Sequence, residues 1–158
     1  MNPDPRKLAI AKNLAATLGT MTKAGGFDFD WPPSRVLLDV ANPYSAVAEC
    51  IDFVWGIVET SGDGMRRFQP ACQLEDEISF LITARTDVRG VEPGVNIEAG
   101  ERLAADIERL LTRDIERGGL ATDTRLGQHT LFTSIGPDRI VVVAVPGTCK
   151  VHRTYGEP

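Results

Sequence analysis

Apolar residues recur at helical spacing near the start of the chain. Leu8, Ala11, Ala15 and Leu18 lie three or four positions apart, and Ile10, Leu14 and Met21 widen the stripe. Lys7, Lys12, Asn13 and Thr17 fall mostly outside it. That period is one face of a 3.6-residue turn, so the stretch predicts an amphipathic helix. Asp4-Pro5 predicts its start, because Asp can accept from the free N–H groups of a first turn and Pro fits the first helical position. Gly25-Gly26 predicts its end, since glycine readily takes the left-handed conformation of a C-terminal cap.

The pattern then changes. Asp28 to Ser34 is polar, aromatic and Pro-containing and reads as a loop. Arg35 to Val40 is a short apolar run that predicts a strand, broken by Asn42-Pro43. From Ile51 to Val58 the positions alternate, with Ile51, Phe53, Trp55 and Ile57 on one face and apolar groups on the other too, as in a central strand. Ser61-Gly62-Asp63-Gly64 is a turn signal. Beyond it Ile78, Phe80, Ile82 and Ala84 share one face, which predicts a strand antiparallel to the preceding one. Pro70 marks the start of that region as irregular or an edge. Asp87 to Pro93 reads as a loop.

A second helix is predicted from about Asn96 to Arg117, with Leu103, Ile107, Leu110, Leu111 and Ile115 as its stripe. Glu98–Arg102, Asp106–Arg109 and Asp114–Arg117 are spaced for ion pairs on its wet side. Gly118-Gly119 stops it, and Leu120 to Gln128 reads as a loop. Leu131-Phe132 opens a short strand, Gly136-Pro137-Asp138 turns the chain, and Ile140 to Val145 is a buried strand that Pro146-Gly147 interrupts. Cys149, Val151 and Tyr155 carry its continuation. Helix, strands, helix, strands is not a strict alternation. It predicts an α+β fold: a mainly antiparallel sheet with two principal helices packed on one face, in a single domain over residues 1–158.

Composition narrows the function classes. The chain has 158 residues, 42% apolar and 25% charged, with a formal net charge of −5. That is ordinary globular composition. A protein that coats nucleic acid usually carries a basic surplus, so the balance argues against general nucleic-acid binding, a local basic patch aside, and no sequence-specific nucleic-acid partner is expected. No apolar run reaches the ~18 residues of a membrane span, and none follows the N-terminus as a signal-peptide core would. Cys50, Cys72 and Cys149 are odd in number and far apart, which suits free thiols better than a disulfide frame. These features place the chain in the cytoplasm or in a particle assembled there.

The search for chemistry finds no legible centre. Zinc sites need paired ligands such as Cys-x-x-Cys, and the three cysteines read instead as small buried residues. His129 and His152 are the only histidines, and neither sits in a triad-like sequence setting; both read as surface or interface residues. Asp28-Phe29-Asp30 and Asp52 lack the spacing of a calcium loop. Gly25-Gly26 and Gly62-Asp63-Gly64 lack the Lys-Ser or Lys-Thr of a phosphate loop. Glu75-Asp76-Glu77 reads as a solvated turn and Arg66-Arg67 as a solvated basic pair. The expectation is a non-enzyme with no catalytic residue, no metal and no cofactor.

One ordered pattern has a counterpart. The run Ala99-Gly-Glu-Arg-Leu-Ala-Ala-Asp-Ile-Glu-Arg-Leu-Leu111, then Arg113-Asp114, then Gly118-Gly119-Leu120-Ala121, leads to a closing His152-Arg-Thr-Tyr-Gly-Glu-Pro158. It resembles the tail terminator proteins of long-tailed bacteriophages and gene transfer agents. The resemblance covers most of the chain in layout and about a third in quotable residues. It implies a structural virion protein: a ring, usually hexameric, on the head-proximal end of the tail tube. Such a ring stops tube growth and meets the neck. The implied partners are further copies of the chain, the tail tube protein and a neck or head-completion protein, with no membrane. The ring would assemble in the host cytoplasm and reside in the virion tail. A tube or head-completion subunit is the alternative of the same class, and a small cytosolic enzyme or ligand-binding domain the alternative of another. Polar loops flanking strands are where subunits would meet. On that ground the expected interface lies in Asp28–Ser34, Ser61–Arg67, Asp87–Asn96 and Arg153–Pro158, with Asp28, Asp30, Trp31, Arg66, Arg67, Asp87, Arg89, Arg153 and Tyr155 as its named residues.

Overall fold

The computed structural model describes residues 5–38, 54–61, 67–69, 73–87, 95–133 and 140–154. The first helix, α1 (Arg6–Leu18), buries Ile10, Ala11, Leu14 and Leu18. Leu8 lies at the edge of that stripe and is 37% exposed. The helix ends at Gly19, seven residues before Gly26. Gly25-Gly26 instead closes a separate 3-10 turn, Lys23–Gly25, where Gly26 takes φ +87° and the Thr22 hydroxyl accepts from the Gly25 N–H. The capping signal was real but belonged to a later turn. Asp4 lies outside the described residues, and Pro5 occupies the N-cap position without a side-chain bond.

A further 3-10 turn, Pro33–Arg35, leads into β1 (Val36–Leu38). Then follow β2 (Trp55–Ser61), β3 (Arg67–Gln69) and β4 (Gln73–Asp87). After α2 (Val95–Leu111) come β5 (Asp123–Leu126), β6 (Thr130–Thr133) and β7 (Ile140–Thr154). All seven strands form one sheet in the order β1-β2-β4-β7-β5, with β3 on the outer side of β4 and β6 on the outer side of β7. Only β1 and β2 run parallel; every other pairing is antiparallel. The fold is α+β.

Two long strands form the spine. β4 and β7 pair without a break from Gln73↔Thr154 to Asp87↔Ile140. At ~3.4 Å per residue their fifteen positions span roughly 50 Å. Asp87 therefore ends a strand rather than opening a loop, and Glu75-Asp76-Glu77 lies in β4 rather than in a turn, with Asp76 buried. β7 also runs through Pro146-Gly147 uninterrupted. The reason lies on the neighbouring strand. β5 and β6 are two halves of one strand, and the register slips by one residue between Leu126↔Gly147 and Thr130↔Ala144. That extra residue makes a bulge opposite Pro146. The Gly127 N–H donates to the Pro146 carbonyl at 2.8 Å. A residue's N–H and C=O leave a strand on the same side. The N–H that Pro146 lacks would thus point at the bulge, where the ladder is already broken. Within 120–128, which reads locally as a loop, Asp123–Leu126 pairs with β7 as β5.

The core lies between the helices and one face of the sheet. Ile78, Phe80, Ile82 and Ala84 of β4 meet Val141, Val143, Val145, Cys149 and Val151 of β7 beneath Leu103, Ala104, Ile107, Leu110 and Leu111 of α2. Cys149 is a free, buried thiol, and burial pushes its pKa up; Cys50 and Cys72 lie outside the described residues. α2 comes down on the sheet at Gly100. A Cβ there would sit 2.8 Å from Val141 Cγ1 and 3.0 Å from Leu131 Cδ2, so a bare backbone permits the approach.

α2 stops at Leu111, six residues before Arg117. Ile115 is exposed, outside the stripe assigned to it. Arg117 is not on the wet side: it is fully buried, at φ +51°. Its guanidinium donates to the Leu111 carbonyl and, at 3.3 Å, to the Thr124 hydroxyl. A cation thereby closes the carbonyl end of the helix, where the macrodipole favours positive charge. Burial lowers the Arg117 pKa. Asp114 accepts from the Gly118 N–H at 2.7 Å instead of lining up on the wet face.

Candidate assembly surface

The two faces of the sheet differ in kind. The face away from the helices is built in rows across the strands. Trp55, Arg85, Val142 and Phe132 occupy one row, Ile57, Thr83, Ala144 and Thr130 the next, and Glu59, Leu81 and Pro146 a third. Trp55 and Ile57 are buried there with Leu37 in a second, small apolar cluster. Phe132 is 59% exposed and Leu81 36%. Val142, Ala144 and Pro146 are half-buried.

Toward the other end of the spine the same face becomes charged. Glu75 and His152 are partners across β4 and β7, as are Glu77 and Lys150, with Asp123 beyond Lys150. Lys150 Nζ lies 3.4 Å from Glu75 Oε1 and His152 Nε2 3.7 Å from Glu75 Oε2. Arg125 Nε donates to Asp123 Oδ2 at 2.8 Å. The face is thus graded, richer in apolar side chains at one end, where Arg85 and Glu59 also stand, and ion-paired at the other.

Of the nine residues expected at an interface, four lie near these two ends: Asp30, Asp87, Arg67 and Arg153. Asp30 lies at the apolar end, where its carbonyl accepts from the Val54 N–H, and Asp87 closes β4 on the same side. Arg67 and Arg153 are strand residues at the opposite corner, beside Glu75 and Leu74 respectively. Arg66, Arg89 and Tyr155 lie outside the described residues. Trp31 is a correction. It is wholly buried, its indole N–H donates to the Arg35 carbonyl at 3.0 Å, and its ring lies against Gly56. A large apolar ring with its one donor satisfied is core material, so Trp31 cannot contact a neighbour. Asp30 is also engaged, accepting from the Lys23 N–H at 2.7 Å.

Asp28 and α2 form a network that sequence spacing only half discloses. Glu98 and Arg102 pair on the surface at 2.6 Å, and Arg102 also reaches Asp28 at 3.5 Å. Asp106, expected on the wet side, is buried. It accepts from the Asp28 N–H at 2.7 Å and from Arg109 Nη2 at 3.0 Å. Burial raises its pKa, against the lowering effect of those donors. Arg109 also donates to the Gly26 carbonyl, and the guanidinium groups of Arg109 and Arg113 stand over the Phe27 ring at 4.5 and 4.8 Å.

His129 reads from the sequence as a surface or interface residue outside any triad-like setting. It sits in the bulge between β5 and β6, its side chain 25% exposed, between two carboxylates of α2. Nδ1 is 3.0 Å from Glu108 Oε1 and Nε2 is 2.9 Å from Glu101 Oε2. The hydrogen bond to Glu108, aided by Glu101, raises its pKa above 6.5. The available signal was two glutamates seven residues, hence two turns, apart on one helix face.

Among the described residues no group of His, Cys, Asp and Glu is arranged to hold a metal ion. No helix there is long and apolar enough to cross a membrane. No protein-family model matches the chain, and no curated protein matches it.

Proposed function

We propose that this chain is a structural subunit of a closed ring that terminates a phage-type tail tube. The observation that carries the reading is the graded sheet face, with exposed apolar side chains at one end and paired charges at the other. A soluble chain that leaves Phe132 and Leu81 in one apolar band presents a surface suited to a partner. A subunit that ends a polymer needs two unlike surfaces, one matching the tube and one not. Two chemically different ends of one 15-residue spine supply them. Head-to-tail contacts between such subunits are heterologous, and a closing rotation fixes the copy number. The order of α2, the Asp114 and Gly118-Gly119 step, and the final strand is the second support, through its similarity to tail terminators.

Negative-stain electron microscopy of the purified protein, with and without Phe132→Asp plus Leu81→Lys, the latter opposite Glu59 in the ladder, tests this. Closed rings in the parent that vanish in a variant of unchanged folding are expected, since exposed substitutions usually alter stability by less than ~0.5 kcal/mol. Open filaments of the parent would instead identify a tube subunit.

A further inference from the structure

We propose that His129 is a pH-operated fastener between α2 and the β5–β6 edge of the sheet. Its ring bridges Glu101 and Glu108, 28 and 21 residues away in sequence, through both nitrogens at once. Only the protonated imidazole can donate from both nitrogens; the neutral ring keeps one N–H and turns a lone pair toward the other carboxylate. The geometry therefore fits His⁺ with two acceptors and cannot be fully satisfied by either neutral tautomer.

The groups facing the ring are few. α2 contributes Glu101 and Glu108. β7 brings Val145 and Pro146 opposite the bulge, neither of them ionisable. On His129's own strand the nearest charges, Asp123 and Arg125, are paired with each other. Two acids and no competing base therefore set the proton affinity of this histidine.

The position gives the proton a mechanical consequence. β5 and β6 pair only with β7 among the described strands, so their other edge has no ladder. The register slip at 127–129 weakens the attachment further. His129 ties that weak point to the helix that covers the sheet. Loss of its proton frees one of the two links and loosens the edge carrying Phe132. The proposal stands independently of the ring reading.

The test has two parts on the intact protein. NMR titration of the imidazole signals, assigned by their loss in His129→Gln, should place the His129 midpoint above 6.5 and bring it down to or below the ordinary histidine value in Glu101→Gln plus Glu108→Gln, where only burial still acts on it. Amide exchange of Leu131 to Thr133, taken as the ratio of wild type to His129→Gln at each pH, removes the intrinsic effect of pH on exchange. Protection should exceed that of the variant by about two- to fivefold near pH 6, the size of a partly exposed ion pair, and fall to parity by about pH 9. A midpoint at or below 6.5, one insensitive to the two glutamates, or a protection ratio constant across that range overturns the proposal.

Discussion

α2 is fastened on its two sides in different ways. Toward the 21–35 segment it uses a buried carboxylate, Asp106, which takes a backbone N–H from Asp28 and a guanidinium N–H from Arg109, with the Phe27 ring beneath the guanidinium groups of Arg109 and Arg113. Toward the β5–β6 edge it uses two partly exposed glutamates and one histidine. A buried polar group must be satisfied or it costs the fold heavily. An exposed pair is screened by water and contributes little. The first side is therefore held by satisfied buried groups, and the second is weak and depends on one proton, which makes it adjustable.

The largest effect is expected at Trp31, which holds the 21–35 segment to β2 at Gly56 and so supports the side on which Asp106 is anchored. Trp31→Ala removes a wholly buried ring and should cost about 3–5 kcal/mol, read as a lower urea midpoint with little change in slope. Asp106→Ala leaves the Asp28 N–H and Arg109 without their acceptor and should cost about 1–3 kcal/mol by the same measurement. Asp106 itself has a folded-state pKa raised by burial. A raised acid binds its proton more tightly when folded, so its ionisation opposes folding above that pKa and the penalty fades as pH falls through it. Asp106→Asn, which keeps an acceptor, should thus be milder than alanine and should flatten this part of the acid limb of stability against pH.

The smallest effect is expected on the other side. His129→Gln should cost about 0.5 kcal/mol at pH 6. Because the folded pKa of His129 is raised, its stabilisation is complete below the unfolded value of about 6.5 and is lost as pH rises through the folded one. The variant and wild type should therefore converge above that midpoint in urea titrations run across pH. A difference that persists into alkaline pH would show that His129 acts by packing and not by charge.

The same contrast explains what could be read from the chain. The stripe of α2 and the alternation of Ile78, Phe80, Ile82 and Ala84 are local periodicities, and both were legible. Pro146-Gly147 was not, because the bulge that accommodates it lies on another strand. Trp31 sits in a segment that reads as a polar loop and Asp106 on the face of α2 that reads as wet, and the burial of both came from elements distant in sequence. His129 looks isolated because its two acids lie 28 and 21 residues earlier, brought beside it by the return of the chain from α2 to β5. The graded face was half legible: alternation predicted two faces to each strand, but which end gathers Phe132 and which gathers Glu75 depends on register.

The ring is the central claim, and native mass spectrometry of the purified protein over a range of concentrations tests it most directly. A hexamer, or a monomer giving way to a hexamer as concentration rises, is the predicted result. A stable dimer or tetramer at every concentration would contradict it.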